Sequence, residues 1–267
     1  MAGRKTEILY GFHPVLEALR AKRRIVHALF IRKERRDARQ AAIAELARER
    51  GIVPQAMDEQ ALTEMAGQSV HQGICARVSP LPTVDLADLM ASADSPTGMP
   101  FVVLLDSLQD PHNLGAIIRT AYCAGVDGFI IPQDRSVSPR PSVSKASAGA
   151  LEHMPVARVT NLVGAMQYLK KSGLWIVGLE GSADQSLFAC DLKLPLGLVI
   201  GGEEKGLRPL VKRHCDFRVA IPHAQAFDSL NASVAAGVAI FEAYRQRSQS
   251  QHEAEGISVG PPGDGSL

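Results

Sequence analysis

Residues 106–119 combine a helix start with two side chains suited to chemistry, Asn113 and Arg119. Asp110 is a natural N-cap and Pro111 suits the first position of a helix, so Asn113 is expected in the first turn. Arg119 lies six residues further on, roughly 600° around a helix, so the two side chains are expected on different sides. They can face one ligand only if Asn113 lies at the frayed helix start; a capped helix with a solvent-facing Arg119 is the alternative.

Residues 200–207 form a second candidate, in which paired glycines precede a carboxylate. Gly201 and Gly202 follow an apolar run, and glycines there let the backbone approach a ligand closely. The Glu203 carboxylate is then suited to binding a ribose, a cation or an arginine. A tight turn with solvated charges is the alternative, and spacing alone favours it.

Residues 221–237 are the third candidate, where polar residues open a helix of small apolar residues. Ser229, or Asp228 before it, is suited to be a plain N-cap. Asn231 is expected just inside the helix, where it is a poor helix former without an evident structural role. The sequence leaves open whether Asn231 faces a ligand.

Strand and helix patterns alternate throughout residues 101–248. Short apolar runs predict strands at residues 102–105, 128–131, 156–159, 174–179, 196–200 and 217–221. Helices are predicted at residues 114–124, 143–151, 161–171, 207–214 and 229–247, and Asn161 can cap the third of them. This alternation predicts a doubly wound parallel α/β domain, whose ligands bind beyond the carboxyl ends of the strands. The three polar segments follow such strand ends.

A separate small α/β domain is predicted for residues 1–78. Its helices are expected at residues 14–19 and 36–50, and its strands at residues 28–31 and 74–78. Proline and glycine cluster in residues 79–100, which predicts an interdomain linker with a short helix at residues 84–90. The Gly-, Pro- and Ser-rich residues 249–267 are expected to form a disordered tail.

Positive charge is concentrated at the N-terminal end of the chain. Residues 1–50 carry 13 basic and 6 acidic side chains, a net of +7, whereas the other residues carry 16 and 22, a net of −6. A basic first domain is typical of a protein with a polyanionic partner. A solvated helix face is the alternative. If the partner is RNA, the cluster predicted to bind it comprises Arg20, Lys22, Arg23 and Arg24.

Several function classes lose support from what the sequence lacks. No apolar run is long enough to span a membrane, and the first residues contain no apolar secretion signal. The four cysteines form no CxxC pair, so neither a metal site nor a redox dithiol is indicated, and a cytoplasmic protein is expected. There is no GxGxxG, GxxxxGK or GxSxG motif, which disfavours a nicotinamide enzyme, a P-loop protein and a hydrolase.

Taken together, the three polar segments resemble the motifs of the SpoU (TrmH) family of RNA 2′-O-ribose methyltransferases. They are similar to its Asn-x-Gly-x-x-x-Arg, Gly-x-Glu-x-x-Gly-Leu and Ile-Pro…Ser-Leu-Asn-x-Ser-Val-Ala motifs, in that order. Residues 10–19 and 71–76 resemble the small substrate-binding domain of the bacterial 23S rRNA guanosine-2′-O-methyltransferase subgroup. The sequence departs at His223 and Gln225, where the family often has Met and Gly, so the local loop is expected to differ.

The resemblance implies a fold and a site that the residues alone do not predict. It implies a SPOUT-type catalytic domain with a parallel sheet and a trefoil knot, an L30e-like RNA-binding first domain, and a homodimer. By motif, the implied catalytic residues are Asn113, Arg119, Glu203, Ser229 and Asn231. The implied cofactor is S-adenosylmethionine, held at Leu179, Glu180, Gly181, Ile200, Gly201, Ile221 and Leu230. Lys145 joins the residues expected to contact RNA.

The activity that the resemblance implies is methylation of a guanosine ribose 2′-hydroxyl in 23S rRNA. The same reaction on tRNA, or on another rRNA site, is the nearest alternative. A catalytically silent RNA-binding or ribosome-assembly protein is an alternative of a different class. The four polar residues Asn113, Arg119, Glu203 and Asn231 are intact and disfavour it.

Overall fold

Two β-sheets organise the chain in a computed structural model that describes residues 6–33, 38–93, 99–203, 205–225 and 230–254. A sheet of four strands lies in the N-terminal part and a sheet of seven strands in the C-terminal part. None of the helices in these ranges is long and apolar enough to cross a membrane.

The first sheet is mixed and has the strand order β1-β4-β2-β3. Strand β4 pairs antiparallel with β1 and β2, whereas β3 pairs parallel with β2. The predicted helices and strands are confirmed where they are described, but β1, β3 and α3 were not predicted. The elements are β1 (Glu7–Tyr10), α1 (Phe12–Ala21), β2 (Val26–Arg32), α2 (Ala38–Arg48), β3 (Gln55–Met57), α3 (Glu59–Ala66) and β4 (Ile74–Val78).

The second sheet is parallel throughout, in the order β7-β6-β5-β10-β8-β11-β9. Its central strands are buried because helices cover both faces. All six predicted strands are found. The strands are β5 (Phe101–Asp106), β6 (Gly128–Pro132), β7 (Val156–Val159), β8 (Trp175–Leu179), β9 (Gln185–Ser186), β10 (Leu196–Gly201) and β11 (Phe217–Ala220).

Helices α5 and α9 pack on one face of this sheet, and α4, α7 and α8 on the other. Leu114, Ile117 and Ile118 of α5 share one apolar cluster with Ala236 and Ile240 of α9. The helices are α4 (Leu86–Ala91), α5 (Pro111–Cys123), α6 (Pro141–Ala146), α7 (Leu162–Lys171), α8 (Pro209–His214) and α9 (Ala232–Ala254).

The stretch predicted as an interdomain linker is in part packed against the second sheet. Val84 forms a parallel β-bridge with Ala157 of β7, and Leu89 of α4 is fully buried. The short helix predicted at residues 84–90 is present as α4, and apolar side chains of this segment cover the sheet. Residues 94–98 lie outside the described residues.

The helix predicted at residues 143–151 breaks after α6 and resumes as a single 3₁₀ turn, Ala150–Glu152. Ala148 and Gly149 have the positive φ values 51° and 86°, which end a right-handed helix. A Cβ at Gly149 would lie 2.8 Å from the His13 carbonyl oxygen of α1. The break therefore lets the first domain approach closely.

The final helix differs from its prediction at both ends. It begins at Ala232 rather than at residue 229, and it continues to Ala254, so residues 249–254 are helical and not a disordered tail. Residues 255–267 lie outside the described residues.

Charged side chains join the two sheets across a buried contact. The Arg24 side chain, fully buried, donates from Nε to Glu152 Oε2 at 2.8 Å, and Glu152 also accepts from Ser144 Oγ at 2.7 Å. Arg23 donates to the Met154 carbonyl oxygen at 2.6 Å, and His153 Nε2 lies 2.8 Å from Glu17 Oε2. The first domain is thus held by side chains of its own basic cluster.

Candidate active site

Three side chains from the three polar segments form one hydrogen-bonded chain. Asn113 Nδ2 donates to Glu203 Oε1 at 2.9 Å, and Asn231 Nδ2 donates to Asn113 Oδ1 at 3.1 Å. These contacts span 90 and 118 positions of sequence, so the fold and not local structure assembles them. Asn113 is at the centre of the chain, and it is 8% exposed.

The start of α5 positions Asn113 as the sequence predicts. Asp110 accepts from the His112 backbone N–H at 2.9 Å, and Pro111 occupies the first helical turn. Asn113 therefore lies in that first turn and points inward. Arg119 is exposed on another side of the same helix and has no hydrogen bond or ion pair with any described residue.

Asn231 is the cap of α9 rather than a residue inside it. Its Oδ1 accepts from the Ser233 backbone N–H at 2.9 Å and from Ser233 Oγ at 2.6 Å, while Nδ2 remains free to reach Asn113. The expectation that Asn231 lacks a structural role is thus wrong, because one amide both caps the helix and joins the chain. Ser229 lies outside the described residues.

A cavity of about 470 Å³ opens beside this chain at the carboxyl ends of β8 and β10. Glu203 lines it, so the hydrogen-bonded chain and the cavity are contiguous. His223 also lines it and is exposed. All seven residues expected at the cofactor line this cavity: Leu179, Glu180, Gly181, Ile200, Gly201, Ile221 and Leu230.

Close backbone packing shapes one wall of the cavity. A Cβ at Gly201 would lie 2.3 Å from the Gly206 carbonyl carbon, and one at Gly202 would lie 2.6 Å from the Ser107 carbonyl oxygen. No side chain fits at either position without moving backbone. The paired glycines therefore bring the loop after β10 against the loop after β5, and the tight-turn alternative and the ligand alternative are both compatible with this packing.

Glu180 presents a carboxylate to the cavity. Its Oε1 accepts from Lys212 Nζ and, at 3.0 Å, from Ser182 Oγ. Although burial raises the pKa of Glu180, the hydrogen bonds from Lys212 and Ser182 and the charges of Lys212 and Arg218 lower it overall, so the group is ionised. Its Oε2 is buried and has no hydrogen-bond partner. Arg218 Nη1 lies 3.6 Å from this oxygen, so Oε2 has a cationic neighbour although it accepts no hydrogen bond.

The residues expected to contact RNA separate into two groups. Arg20 and Lys22 are exposed, and Arg20 pairs only with Glu17 of its own helix. Arg24 was expected on an RNA-binding surface, and this is wrong, because its side chain is buried in the ion pair with Glu152. Arg23 donates to backbone carbonyls of the second domain, and Lys145 Nζ donates to Gln72 Oε1 at 2.9 Å. Burial lowers the pKa of Lys145.

The sequence interpretation missed an ion pair next to the site. Asp106, the last residue of β5, accepts from Arg208 Nε at 2.6 Å and from the Arg208 backbone N–H at 2.7 Å. Asp106 lies at the carboxyl end of a strand, where a functional side chain is expected. No local pattern, however, connects it to a partner 102 positions away. In the part of the chain that the structure describes, no group of three or more His, Cys, Asp or Glu side chains is placed to share a metal ion.

Comparison with known families decides what this arrangement is. Residues 100–241, which contain the hydrogen-bonded chain and the cavity, match the SpoU rRNA Methylase family. The chain belongs to this family. Residues 8–84 match the family described as RNA 2′-O ribose methyltransferase substrate binding.

Individual relatives resemble nearly the whole chain. The chain is 42% identical over 246 residues to the 23S rRNA (guanosine-2′-O-)-methyltransferase RlmB of Escherichia coli strain K12, covering 91% of this chain and 100% of that protein. It is 43% identical over 241 residues to the uncharacterized tRNA/rRNA methyltransferase slr0955 of Synechocystis. That alignment covers 90% of this chain but 63% of the relative's length.

A solved structure of the SpoU family has the same fold. The SpoU methyltransferase AviRb of Streptomyces viridochromogenes, in complex with its cofactor AdoMet, superimposes with a TM-score of 0.77 at 27% identity. The match covers 91% of each chain. The agreement extends over both sheets, since a match to one of them alone would cover much less.

Proposed function

We propose that this protein transfers a methyl group from S-adenosylmethionine to the 2′-hydroxyl of a guanosine in 23S rRNA. The observation that carries the proposal is the Glu203–Asn113–Asn231 chain beside a cavity, in a member of the SpoU rRNA methylase family. The guanosine in 23S rRNA is supported by the identity to the Escherichia coli relative of that name. The name of the Synechocystis relative includes tRNA, so tRNA is the alternative substrate to test against 23S rRNA.

The cavity fits S-adenosylmethionine in size and in chemistry. About 470 Å³ lies within the ordinary range of small-ligand sites. The apolar side chains of Ile200, Ile221 and Leu230 suit an adenine, and the ionised carboxylate of Glu180 suits a ribose hydroxyl. When bound, the cofactor would supply an electrophilic methyl group whose leaving group is a neutral thioether.

Replacing Glu180 with glutamine is expected to weaken cofactor binding about tenfold, because a neutral amide accepts hydrogen bonds less strongly than a carboxylate. Isothermal titration with S-adenosylmethionine measures the Kd. Glu59→Gln is the matched control, since Glu59 forms an exposed ion pair with Arg32 in the first domain. An unchanged Kd in Glu180→Gln would remove Glu180 from the cofactor site.

The reaction requires a ribose hydroxyl to lose its proton, which passes to bulk water at the exposed Arg119, since the neutral hydroxyl is a poor nucleophile. Arg119 is the cation that the family motif assigns to this step, and its guanidinium stays protonated in nearly all proteins. We therefore give Arg119 the role of binding an RNA phosphate and polarising the hydroxyl, rather than that of a general base. Its exposed position on α5 leaves it accessible to RNA.

A lysine at position 119 is expected to retain part of the activity, with kcat lowered roughly 10- to 100-fold, because it keeps the charge and loses the planar fork. Single-turnover methyl transfer and RNA binding measure the two effects separately. Arg213→Lys, at an exposed arginine of α8, controls for the substitution itself. Complete loss of transfer with unchanged RNA affinity would contradict the polarising role.

The finer features of the fold are part of the same proposal. We infer a trefoil knot, which is supported by the segments that meet at the cavity: residues 179–182, 200–203, 205–207, 221–223 and 230–235. We also infer that residues 1–78 are an L30e-like RNA-binding domain and residues 101–248 the methyltransferase domain. Four free cysteines and an rRNA substrate support a cytoplasmic location.

A homodimer is supported by an apolar stripe on α9. Val234, Phe241 and Tyr244 recur at helical spacing and are each roughly half exposed. Tyr122 of α5 is exposed to a similar extent, and α5 packs against α9. A second copy that covers this stripe would lie near Arg119, one helical turn from Tyr122, so that the active site would draw on both subunits.

A further inference from the structure

Asp106 is buried and forms an ion pair with Arg208 that occupies only part of the Arg208 guanidinium. Asp106 is 0% exposed, and a fully buried carboxylate requires a compensating charge. Arg208 supplies it through Nε at 2.6 Å, while the second carboxylate oxygen is taken by the Arg208 backbone N–H at 2.7 Å. Both carboxylate oxygens of Asp106 therefore accept a hydrogen bond from Arg208.

Most of the Arg208 guanidinium remains available. An arginine has five N–H donors, and the contact with Asp106 occupies one of them. The terminal nitrogens have no acceptor among the described residues, and the side chain is 40% exposed. Arg208 is thus a cation whose stem is fixed by a buried partner and whose fork faces solvent.

Its place in the fold is beside the reaction site. Arg208 directly follows the loop of residues 202–207 that carries Glu203, and Asp106 begins the segment that leads to Asn113. The close approach of Gly202 to the Ser107 carbonyl oxygen packs these two loops together. The exposed fork therefore lies on the surface formed by the two loops that supply the active-site side chains.

We propose that Arg208 binds a phosphate of the substrate RNA next to the nucleotide that is methylated, and that Asp106 holds it in position. The proposal rests on the function proposed above. A guanidinium fork matches a phosphate in geometry and charge, and holding the stem in advance reduces the entropy lost on binding.

The test compares a double variant, Asp106→Asn/Arg208→Met, with the full-length wild type. The double variant leaves no buried charge unpaired and does not change the net charge. RNA affinity is measured with unmodified 23S rRNA over a range of KCl concentrations, and the cofactor Kd by titration calorimetry. We expect RNA to bind about tenfold more weakly, with a salt slope lower by about 0.7 to 0.9, and the cofactor Kd to be unchanged.

Two further variants keep the proposal falsifiable. Lys193→Met removes an exposed cation that does not line the cavity. It should leave both the RNA affinity and the salt slope unchanged. Arg208→Lys keeps the ion pair with Asp106 and loses the fork, so RNA should bind several-fold more weakly even if the double variant does not fold.

Two results would contradict the phosphate contact and leave the Asp106–Arg208 pair a purely structural role. One is wild-type RNA affinity in Arg208→Lys. The other is an unchanged salt slope with an altered cofactor Kd in the double variant. If the wild type binds RNA in an Arg208-dependent manner but transfers no methyl group, the phosphate site stands and the proposed reaction fails. If the wild type does not bind RNA, both fail.

Discussion

Replacing Asn113 with alanine is expected to lower the rate of methyl transfer at least about 100-fold, the largest effect that a single substitution should have on activity. Asn113 donates to Glu203 and accepts from Asn231, so its removal disconnects both side chains at once. Glu203 would lose its amide donor, and Asn231 would lose the acceptor that orients Nδ2. The chain that links the three segments would then no longer hold a substrate ribose in one geometry.

The measurement is single-turnover transfer of a labelled methyl group, with the cofactor Kd determined in parallel. Asn161→Ala is the matched control: Asn161 caps α7 by accepting from the Val163 and Gly164 backbone N–H groups. Its loss should cost about 1 kcal/mol of stability and leave the transfer rate unchanged. A rate for Asn113→Ala within about fivefold of the wild type would show that the hydrogen-bonded chain has no part in the reaction.

Replacing Arg24 with methionine is expected to lower the free energy of unfolding by about 3–5 kcal/mol, the largest effect expected on stability. The substitution leaves the Glu152 carboxylate buried and without its ionic partner Arg24. Urea denaturation measures the change. Arg20→Met is the control, because Arg20 pairs with Glu17 at the surface, and it should cost less than about 1 kcal/mol.

The loss in Arg24→Met should also depend on pH. Burial raises the pKa of Glu152, although Arg24 and Ser144 oppose the shift. A carboxyl with a raised pKa contributes most to stability below its unfolded pKa, and this contribution is lost as the pH rises through the folded value. Without Arg24, the upward shift that burial imposes on the pKa of Glu152 is less opposed. The loss of unfolding free energy in Arg24→Met should therefore be smaller near about pH 5 than near about pH 8.

A second substitution separates the ion pair from RNA binding. Arg24→Met/Glu152→Gln removes both charges of the buried pair and should recover part of the lost stability, because Glu7, which is 26% exposed, still loses its ion pair with Arg24. Its RNA affinity should remain close to that of the wild type, since neither side chain is exposed. A variant that kept its stability but lost RNA affinity would restore Arg24 to the RNA-binding surface predicted from its charge.

Local patterns in the sequence predicted those features that local physics determines. Continuous apolar runs marked the parallel strands, because both faces of these strands are buried. Asp110 and Asn161 were predicted as caps and are caps, since N-cap chemistry depends on the next two or three residues. The positions of Asn113 and Arg119 on different sides of α5 follow from the helix period alone.

Features that depend on distant partners were predicted wrongly or missed. Arg24 looked like one more surface cation, but it is buried against Glu152, 128 positions away, and against Glu7 and the Ser79 carbonyl oxygen. Arg208 could not be connected to Asp106 for the same reason. The helix after Pro141 ends where Ala148 and Gly149 take positive φ values, and the close packing of α1 against Gly149 is not indicated by any local pattern. The meeting of Asn113, Glu203 and Asn231 was suggested by family resemblance, not by spacing.

The measurement that tests the central claim most directly is methyl transfer from labelled S-adenosylmethionine to unmodified 23S rRNA, with unmodified tRNA alongside. Mapping of the label identifies the nucleotide and its modified atom. The account predicts label at the 2′-oxygen of a single guanosine in 23S rRNA, and its loss in Asn113→Ala. Label in tRNA alone would contradict the proposed substrate, and no label in either RNA, without detectable cofactor binding, would contradict the proposed reaction.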